Sequence, residues 1–504
     1  MKISIIHTTI LLVLVAMLHQ SCQKHYLPHE FIEEESALTN EADVETATIG
    51  TYAVLKNEAY VRSGHFLMEY PGDAVAQGQA SGDDLTRAYR YTHINTSAHS
   101  TNFWTQSYKV IAAANKVIGY VQDDASQGML QLKGENLFLR ALMHFNLVRI
   151  FGRPYPQGKG ENLGVPILHE GLSEEEIDNI SRSSVKAVYD FIIADLLKAA
   201  DLLTENKSNS FASKEVAYAL LARTYLYKED NINAIKYANM VISSPRYTLL
   251  QGSDYVGYFR TVPENNKETI FGIRHTKVED RGMNSIGSMY ISADASGNAV
   301  GQGVTGWAEI YASIKYYDFL SKYPHDLRNS FVVPYTIGGV LQNNQKLTPT
   351  VPMYYVNKYS FQEDVVNLSS PVYFRLAEMY LIRAEAYAKE GNVGDALADV
   401  NRIRERAGLK GAELHSLQNI AAANKTALDV VLEERFLELA FEGHRAYDLF
   451  RNNRSVVRNY PGTHSLSNTP TTDVHQEIKP TDKRVVFFVP QAEINKNNNL
   501  DQNP

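Results

Sequence analysis

Cysteine is almost missing from this chain. Cys22 is the only one among 504 residues, so no intramolecular disulfide can form, and zinc sites built on several thiolates are excluded. Basic residues are not in excess either. The 49 Lys and Arg stand against 57 Asp and Glu, a formal charge of −8, or −9 without the first 21 residues, where Lys2 is the only charged side chain. That balance argues against general binding to a phosphate backbone, which draws on clustered cations. No apolar run reaches the roughly 18 residues of a bilayer-spanning helix. The sequence contains no H-E-x-x-H and no phosphate-binding lysine loop. Tryptophan occurs twice. The 44% hydrophobic and 21% charged content still describes a folded globular protein. Its length suits roughly three domains or one large helical body with insertions.

Tyrosine is plentiful, 31 against 19 Phe. Its apolar face and polar tip suit a carbohydrate or peptide surface, and they suit helix packing equally well. At the amino terminus, Lys2 precedes an apolar run, Ile10 to Leu18, too short to span a bilayer and long enough for a signal-peptide core. The run ends in Leu18-His19-Gln20-Ser21-Cys22. A lone thiol after an apolar core, preceded by a small residue, reads as a lipoprotein cleavage site, with residues 1–21 removed and Cys22 lipidated. His19 departs from the leucine usual at that position of the box. Several acyl chains would anchor such a protein firmly, since each buried CH₂ contributes about 0.8 kcal/mol. Residues 23–29 read as a tether. His25 and His29 are four apart, but Pro28 lies between them, and no metal site is assigned.

Helical periodicity runs over Trp104–Tyr120, Gly134–Phe151 and Ser184–Leu203, with Gly152-Arg153-Pro154 as a stop and Ser183 or Ser184 as a cap. Two helix pairs then resemble each other. Residues 218–234 align without gaps on 380–396, matching Tyr218 with Tyr380, Ala222 with Ala384, Tyr225 with Tyr387 and Ala234 with Ala396. Small alanines at these positions let antiparallel helices approach, as in tetratricopeptide repeats. The units are far apart in sequence, so no continuous solenoid follows. Between them, 245–371 is rich in Gly, Tyr, Asn and Ser, with short strand-like pieces such as Thr269–Arg274 and Met353–Tyr359. Residues 60–103 also read as loop. The expected fold is mainly α: a tetratricopeptide-like helical-pair scaffold with loop-rich insertions containing short strands. After the signal peptide, 22–504 is expected to form one body, helical over about 32–244 and 372–504, with a ligand-binding insertion over about 245–371.

Four stretches carry a family resemblance. They are YKVIAAANKV (108–117) with GENLFLRALMHFNLVRIFG (134–152), Arg375–Gly408 ending in N-R-I-R-E-R-A-G, VLEERFLELAFEGHRAYDLFR (431–451) and FFVPQAEINKNNNLDQNP (487–504). With the lipobox-like start, these resemble the SusD/RagB family of nutrient-capturing surface lipoproteins of Bacteroidota. The resemblance implies a non-catalytic, lipid-anchored protein of the outer membrane, facing the cell surface. It would capture a glycan or oligosaccharide and pass it to a SusC-like TonB-dependent transporter. Peptides, as in the RagB branch, are the alternative ligand. No cofactor is implied and no nucleic acid.

The resemblance also implies a shallow ligand arc of aromatic and polar residues. Its early candidates here are Asp73, Tyr89, Arg90, Tyr91 and Asn95, and its central candidates Tyr290, Trp307 and Tyr311. Trp307 precedes what reads as a helix start, which favours the core for it. Trp104 reads as a core residue. Glu434 and Glu438, four apart on one helical face, could be read as an acid/base pair, but a lattice of ion pairs with Arg404, Arg406 and Arg445 is the preferred reading. A surface glycosidase would need two carboxylates about 5–10 Å apart across a cleft, and the loop regions present no such pair. A protein-assembly scaffold without a small ligand is a further alternative. Gly301-Gln-Gly303-Val-Thr-Gly306 fits G-x-G-x-x-G but follows a loop-like stretch without a β-α pattern, so no dinucleotide site is assigned. Gly282-Met-Asn-Ser285-Ile-Gly287 has one residue too many for a nucleophile elbow. Asp254, Asp280 and Asp326 are available oxygen donors for calcium.

Overall fold

A computed structural model describes residues 38–78, 84–290, 306–344, 350–464 and 475–504. Cys22, the 1–21 segment, His25, His29 and residues 301–305 of the glycine motif lie outside these. Helices dominate. Their starts follow from side chains that accept the free N–H groups of the first turn. Asn40 caps α1 (Glu41–Val54), Asn57 caps α2 (Glu58–Glu69), and Ser126 caps α4 (Gln127–Phe151), which follows α3 (Ala98–Tyr120). Ser184 caps α5 (Val185–Leu202). The first two periodic segments thus extend six or seven residues further toward the amino terminus than the sequence pattern suggests, α3 opening on polar His99 to Asn102 and α4 on Gln127 and Gly128.

Helix α4 is the axis of this half. Its residues are buried almost without interruption from Gln131 to Phe151, on all sides, because α1, α3 and α5 pack around it. Trp104 of α3 is 4% exposed and sets its ring edge-on to Phe151, 4.9 Å between centres.

The sequence repeat is a structural repeat. Helices α6 (Lys214–Tyr227) and α7 (Asn231–Ile242) match α8 (Leu376–Lys389) and α9 (Val393–Arg406), with the same offset of 162 at the first three boundaries. Ala222, Ala234, Ala384 and Ala396 are all fully buried where the helices meet. The two pairs are neighbours in space: α7 packs on α8, so the pairs stack despite the residues between them. The intervening segment leaves and returns at one place, where strand Thr269–Gly272 pairs antiparallel with Val372–Arg375 directly before α8. The turn within each pair needs a left-handed residue. The second pair has Gly391 there (φ 80°), while the first has Glu229 (φ 64°). The Glu229 carboxylate, itself exposed, reaches Lys389 at 3.7 Å, a long pair of little energetic weight. Glu229→Gly is therefore expected to stabilise the protein by about 0.5–1 kcal/mol, read as a higher urea midpoint.

Residues 60–103 are not the loop expected. They contain most of α2, the strand Val75–Gln77, the short helix Leu85–Arg90 and the start of α3. Gly64, which reads as a loop residue, lies inside α2 because a Cβ there would come within 2.8 Å of the Phe103 ring. The strand Val75–Gln77 pairs with Ile310–Ala312, so the first residues of the body and the central insertion share one frame. After α9 come α10 (Ala427–Glu438), with a capping box on Thr426, and α11 (Arg445–Arg451). The strands form six two-stranded antiparallel ribbons among the described residues. No helix among those residues is long and apolar enough to cross a membrane.

Candidate functional site

Most of the aromatic and polar candidates are built into the frame rather than displayed on it. Asp73 is 1% exposed, and its carboxylate accepts from Arg445 Nε at 2.7 Å and Lys315 Nζ at 2.6 Å. Burial pushes its pKa up, but Arg445 and Lys315 outweigh that and hold it at about 2. Tyr89 and Tyr91 are buried around Arg458, whose guanidinium carbon lies 4.1 Å and 5.6 Å from their ring centres. The Tyr89 hydroxyl meets His464 Nδ1 at 3.0 Å, and the Tyr91 hydroxyl donates to the Pro71 carbonyl at 2.7 Å. Tyr290 is buried with its hydroxyl 2.8 Å from His65 Nε2 and its ring stacked on Tyr359. Tyr311 is buried against Gly78, where a Cβ would come within 2.1 Å of its ring. None of these five side chains offers a free face to a ligand. Arg90 and Asn95 are half-buried, and Asn95 Nδ2 donates to Gln491 Oε1 at 2.6 Å.

Trp307 behaves differently. It does not start a helix: residues 306–309 are irregular, Ile310–Ala312 is a strand, and the next helix begins at Ile314 under a Ser313 cap. Trp307 is 47% exposed, and among the described residues only it and Tyr120 are exposed aromatic rings. The ring is nevertheless fixed. Its Nε1 donates to the Met283 carbonyl at 3.0 Å, and its main-chain N–H donates to the Ser288 carbonyl at 2.7 Å. Met283 sits in the Gly282–Gly287 segment. Gly287 permits that segment to pass the Tyr359 carbonyl, which a Cβ would approach to 2.2 Å. The next residues, Asn284 to Ile286, border a narrow cleft with Arg62 and Arg281. At about 30 Å³ the cleft has room for a water or two. Trp307 does not line this cleft, and its exposed ring lies outside it. Sequence reasoning missed Met283 and Ser288 as the partners that fix Trp307. The pair of glycines at 282 and 287 was the available signal.

Two larger concavities lack such a platform. A groove of about 360 Å³ has Trp104 and Tyr108 in its floor, but Trp104 is buried and the Tyr108 hydroxyl is committed to the Pro166 carbonyl. Another, of about 460 Å³, is lined by ion-paired side chains, Lys425 with Glu433 and Arg454 with Asp429.

The Glu434 and Glu438 carboxylates are sealed inside the protein, each 1% exposed. Glu434 pairs with Arg328 and, at 2.9 Å, with Arg404. Glu438 pairs with Arg375 and Arg406 and accepts from the Tyr255 hydroxyl at 3.1 Å. Burial pushes both acids up, and the surrounding guanidinium groups overturn that, so both stay below the usual carboxylate range. Arg404 and Arg406 take part as the sequence suggests. Arg445 does not, because it pairs with Asp73, and Arg328 and Arg375 take its place. Among the described residues no group of three His, Cys, Asp or Glu side chains gathers in metal-binding geometry, and Asp326 is committed to Arg328.

The chain is similar to known proteins along nearly its whole length. The sequence profile described as "SusD family" matches residues 310–504, and the profile described as "Starch-binding associating with outer membrane" matches 28–226. A protein of Formosa agariphila named SusD-like protein P2 is 27% identical over 94% of this chain and 94% of its own. The starch-binding protein SusD of Bacteroides thetaiotaomicron is 23% identical over 75% of this chain and 74% of its own. A crystal structure of a SusD superfamily protein from B. thetaiotaomicron, 26% identical, superposes with a TM-score of 0.77 over 92% of this chain and all of that one.

Proposed function

This chain belongs to the SusD family, and from that premise we propose that it is a non-catalytic glycan-binding lipoprotein of the outer membrane, anchored through Cys22 and facing the cell surface. Its task is to capture an oligosaccharide and pass it to a SusC-like TonB-dependent transporter. Glycan capture is supported by the starch-binding profile over 28–226 and by the name of the B. thetaiotaomicron relative. The lipid anchor rests on the apolar run ending at Cys22, and the transporter partner on the family resemblance.

The observation that carries the reading is Trp307, an exposed ring fixed through its Nε1 to the Met283 carbonyl. The C–H face of a pyranose packs on such a ring, and neighbouring polar groups hold its hydroxyls. Asp73, Tyr89, Tyr91, Tyr290 and Tyr311 are buried and act as framework rather than as ligand contacts. Arg90 and Asn95 lie on the same early segment. The non-catalytic part of the reading is supported by the Glu434 and Glu438 pair, which is neutralised and closed to solvent.

Calorimetric titration of the protein lacking residues 1–22 against a panel of polysaccharides and tryptic peptides tests the proposal. The expected result is saturable heat with one glycan class, and recovered ligand of unchanged length. Shortened chains would overturn the non-catalytic reading. Heat with peptides alone would replace the glycan by a peptide ligand.

A further inference from the structure

Eleven arginines are buried among the described residues. Eight of them form ion pairs with carboxylates. Arg182 and Arg458 donate instead to several main-chain carbonyls. Arg149, near the end of α4 and 8% exposed, does neither. Its Nη2 faces the Met68 thioether, a weak acceptor, and its Nε has no hydrogen-bond partner. The guanidinium carbon lies 4.6 Å from the Tyr447 ring centre and 5.3 Å from that of Phe145. Ring faces attract a cation, but they do not balance its charge. The hydroxyl of Tyr227, whose ring centre is 6.0 Å from the same guanidinium, is also buried without a hydrogen-bond partner.

Both groups line a cleft of about 20 Å³ under the Gly152–Tyr155 turn. Among the described residues three arginines and four tyrosines line it, and no carboxylate does. Arg451 is already balanced by Glu385 and Asp448. Arg153 is half-buried and donates to Gln157 and the Asp482 carbonyl. The cleft therefore holds one buried positive charge without a counter-charge, an arrangement that proteins avoid because removing a lone ion from water is costly. A cavity of about 80 Å³ that Arg149 also lines contains Glu442, already paired with Lys358 and Arg375.

We propose that the cleft binds a single monovalent inorganic anion of chloride size, held by the Arg149 guanidinium and the Tyr227 hydroxyl. About 20 Å³ is the room of one water-sized sphere. That is near the size of a single halide ion and is too small for the carboxylate end of a sugar. This ion site is separate from the glycan surface at Trp307 and does not depend on it.

The test compares thermal unfolding in sodium chloride and sodium gluconate at equal ionic strength, for the protein lacking residues 1–22 and its Arg149→Met variant. The unsubstituted protein is expected to melt about 1–3 °C higher in chloride, with a saturable dependence. The Arg149→Met protein should show no such difference. If that variant does not fold, Tyr227→Phe keeps the ring and should need several-fold more chloride for half the effect. Crystals grown in sodium bromide should show an anomalous peak beside Arg149. Equal midpoints in the two salts would overturn the proposal. So would a bromide peak without chloride-dependent stability, which would be an adventitious ion only.

Discussion

Replacing Trp307 by alanine is expected to weaken glycan binding about thirtyfold, or ~2 kcal/mol, with no loss of stability. The size of the effect follows from the contact. A tryptophan ring held in one orientation gives a large apolar face at little cost in side-chain freedom, and such rings dominate binding energy where they occur. The absence of a stability effect follows from exposure: 47% of the side chain faces solvent, and its one side-chain hydrogen bond reaches a main-chain carbonyl. The buried candidates should behave in the opposite way. Tyr290→Ala removes a fully buried ring stacked on Tyr359 and should cost stability first. Calorimetry and urea unfolding on the two variants separate ligand contact from framework.

Glu438→Gln is expected to destabilise the protein by about 3–5 kcal/mol at pH 7, read as a lower urea midpoint. The substitution keeps the shape and removes the charge. Arg375 and Arg406 then share a neutral amide oxygen in place of the carboxylate oxygen, and their buried charges lose a counter-charge. The penalty depends on pH with a definite sign. Burial opposes ionisation of Glu438, the arginines overcome that, and its folded pKa lies below the unfolded value of about 4.3. A carboxylate depressed in this way contributes fully above its unfolded pKa, and the contribution is lost as pH falls toward its folded pKa. The difference between wild type and Glu438→Gln should therefore shrink below about pH 4.3. Asp73 and Glu385, both held at about 2, titrate in the same direction. The whole protein should lose stability as the pH is lowered from about 4.5 toward 2.

The parts of the fold legible in the sequence are those fixed by local pattern. The helix pairs are an example: an offset of 162 places α8 on α6 residue for residue, down to Gly391 in the turn where Glu229 stands in the first copy. Their stacking was not legible, because α7 meets α8 only after a long excursion closed by Thr269–Gly272 pairing with Val372–Arg375. Helix α2 was hidden by Gly64, whose reason for being there, Phe103, lies on another helix.

The candidate site is legible in the sequence only as a set of residue types and not as a surface. Tyrosine has the same composition signature whether its ring faces a sugar or a neighbour's core. Tyr89, Tyr91, Tyr290 and Tyr311 are all of the second kind. The position of Trp307 depends on Ile310–Ala312 pairing with Val75–Gln77, a contact between segments more than 230 residues apart that no local pattern announces. Arg149 was hidden for a similar reason. It stands in an apolar helical stretch like any buried arginine, and only the tertiary structure reveals that no carboxylate among the described residues comes to meet it.

The presence of only two tryptophans permits a direct measurement of where the ligand sits. Trp104 is 4% exposed and Trp307 47% exposed, so iodide should quench the fluorescence of Trp307 and leave that of Trp104 almost unchanged. Quenching is measured without ligand and then with the glycan identified by calorimetry at saturating concentration. If the glycan lies on Trp307, saturation should remove most of the quenchable signal, and a Trp104→Phe variant should show the same protection. If the glycan binds by calorimetry while Trp307 stays as quenchable as before, the ligand surface is elsewhere and the assignment is wrong.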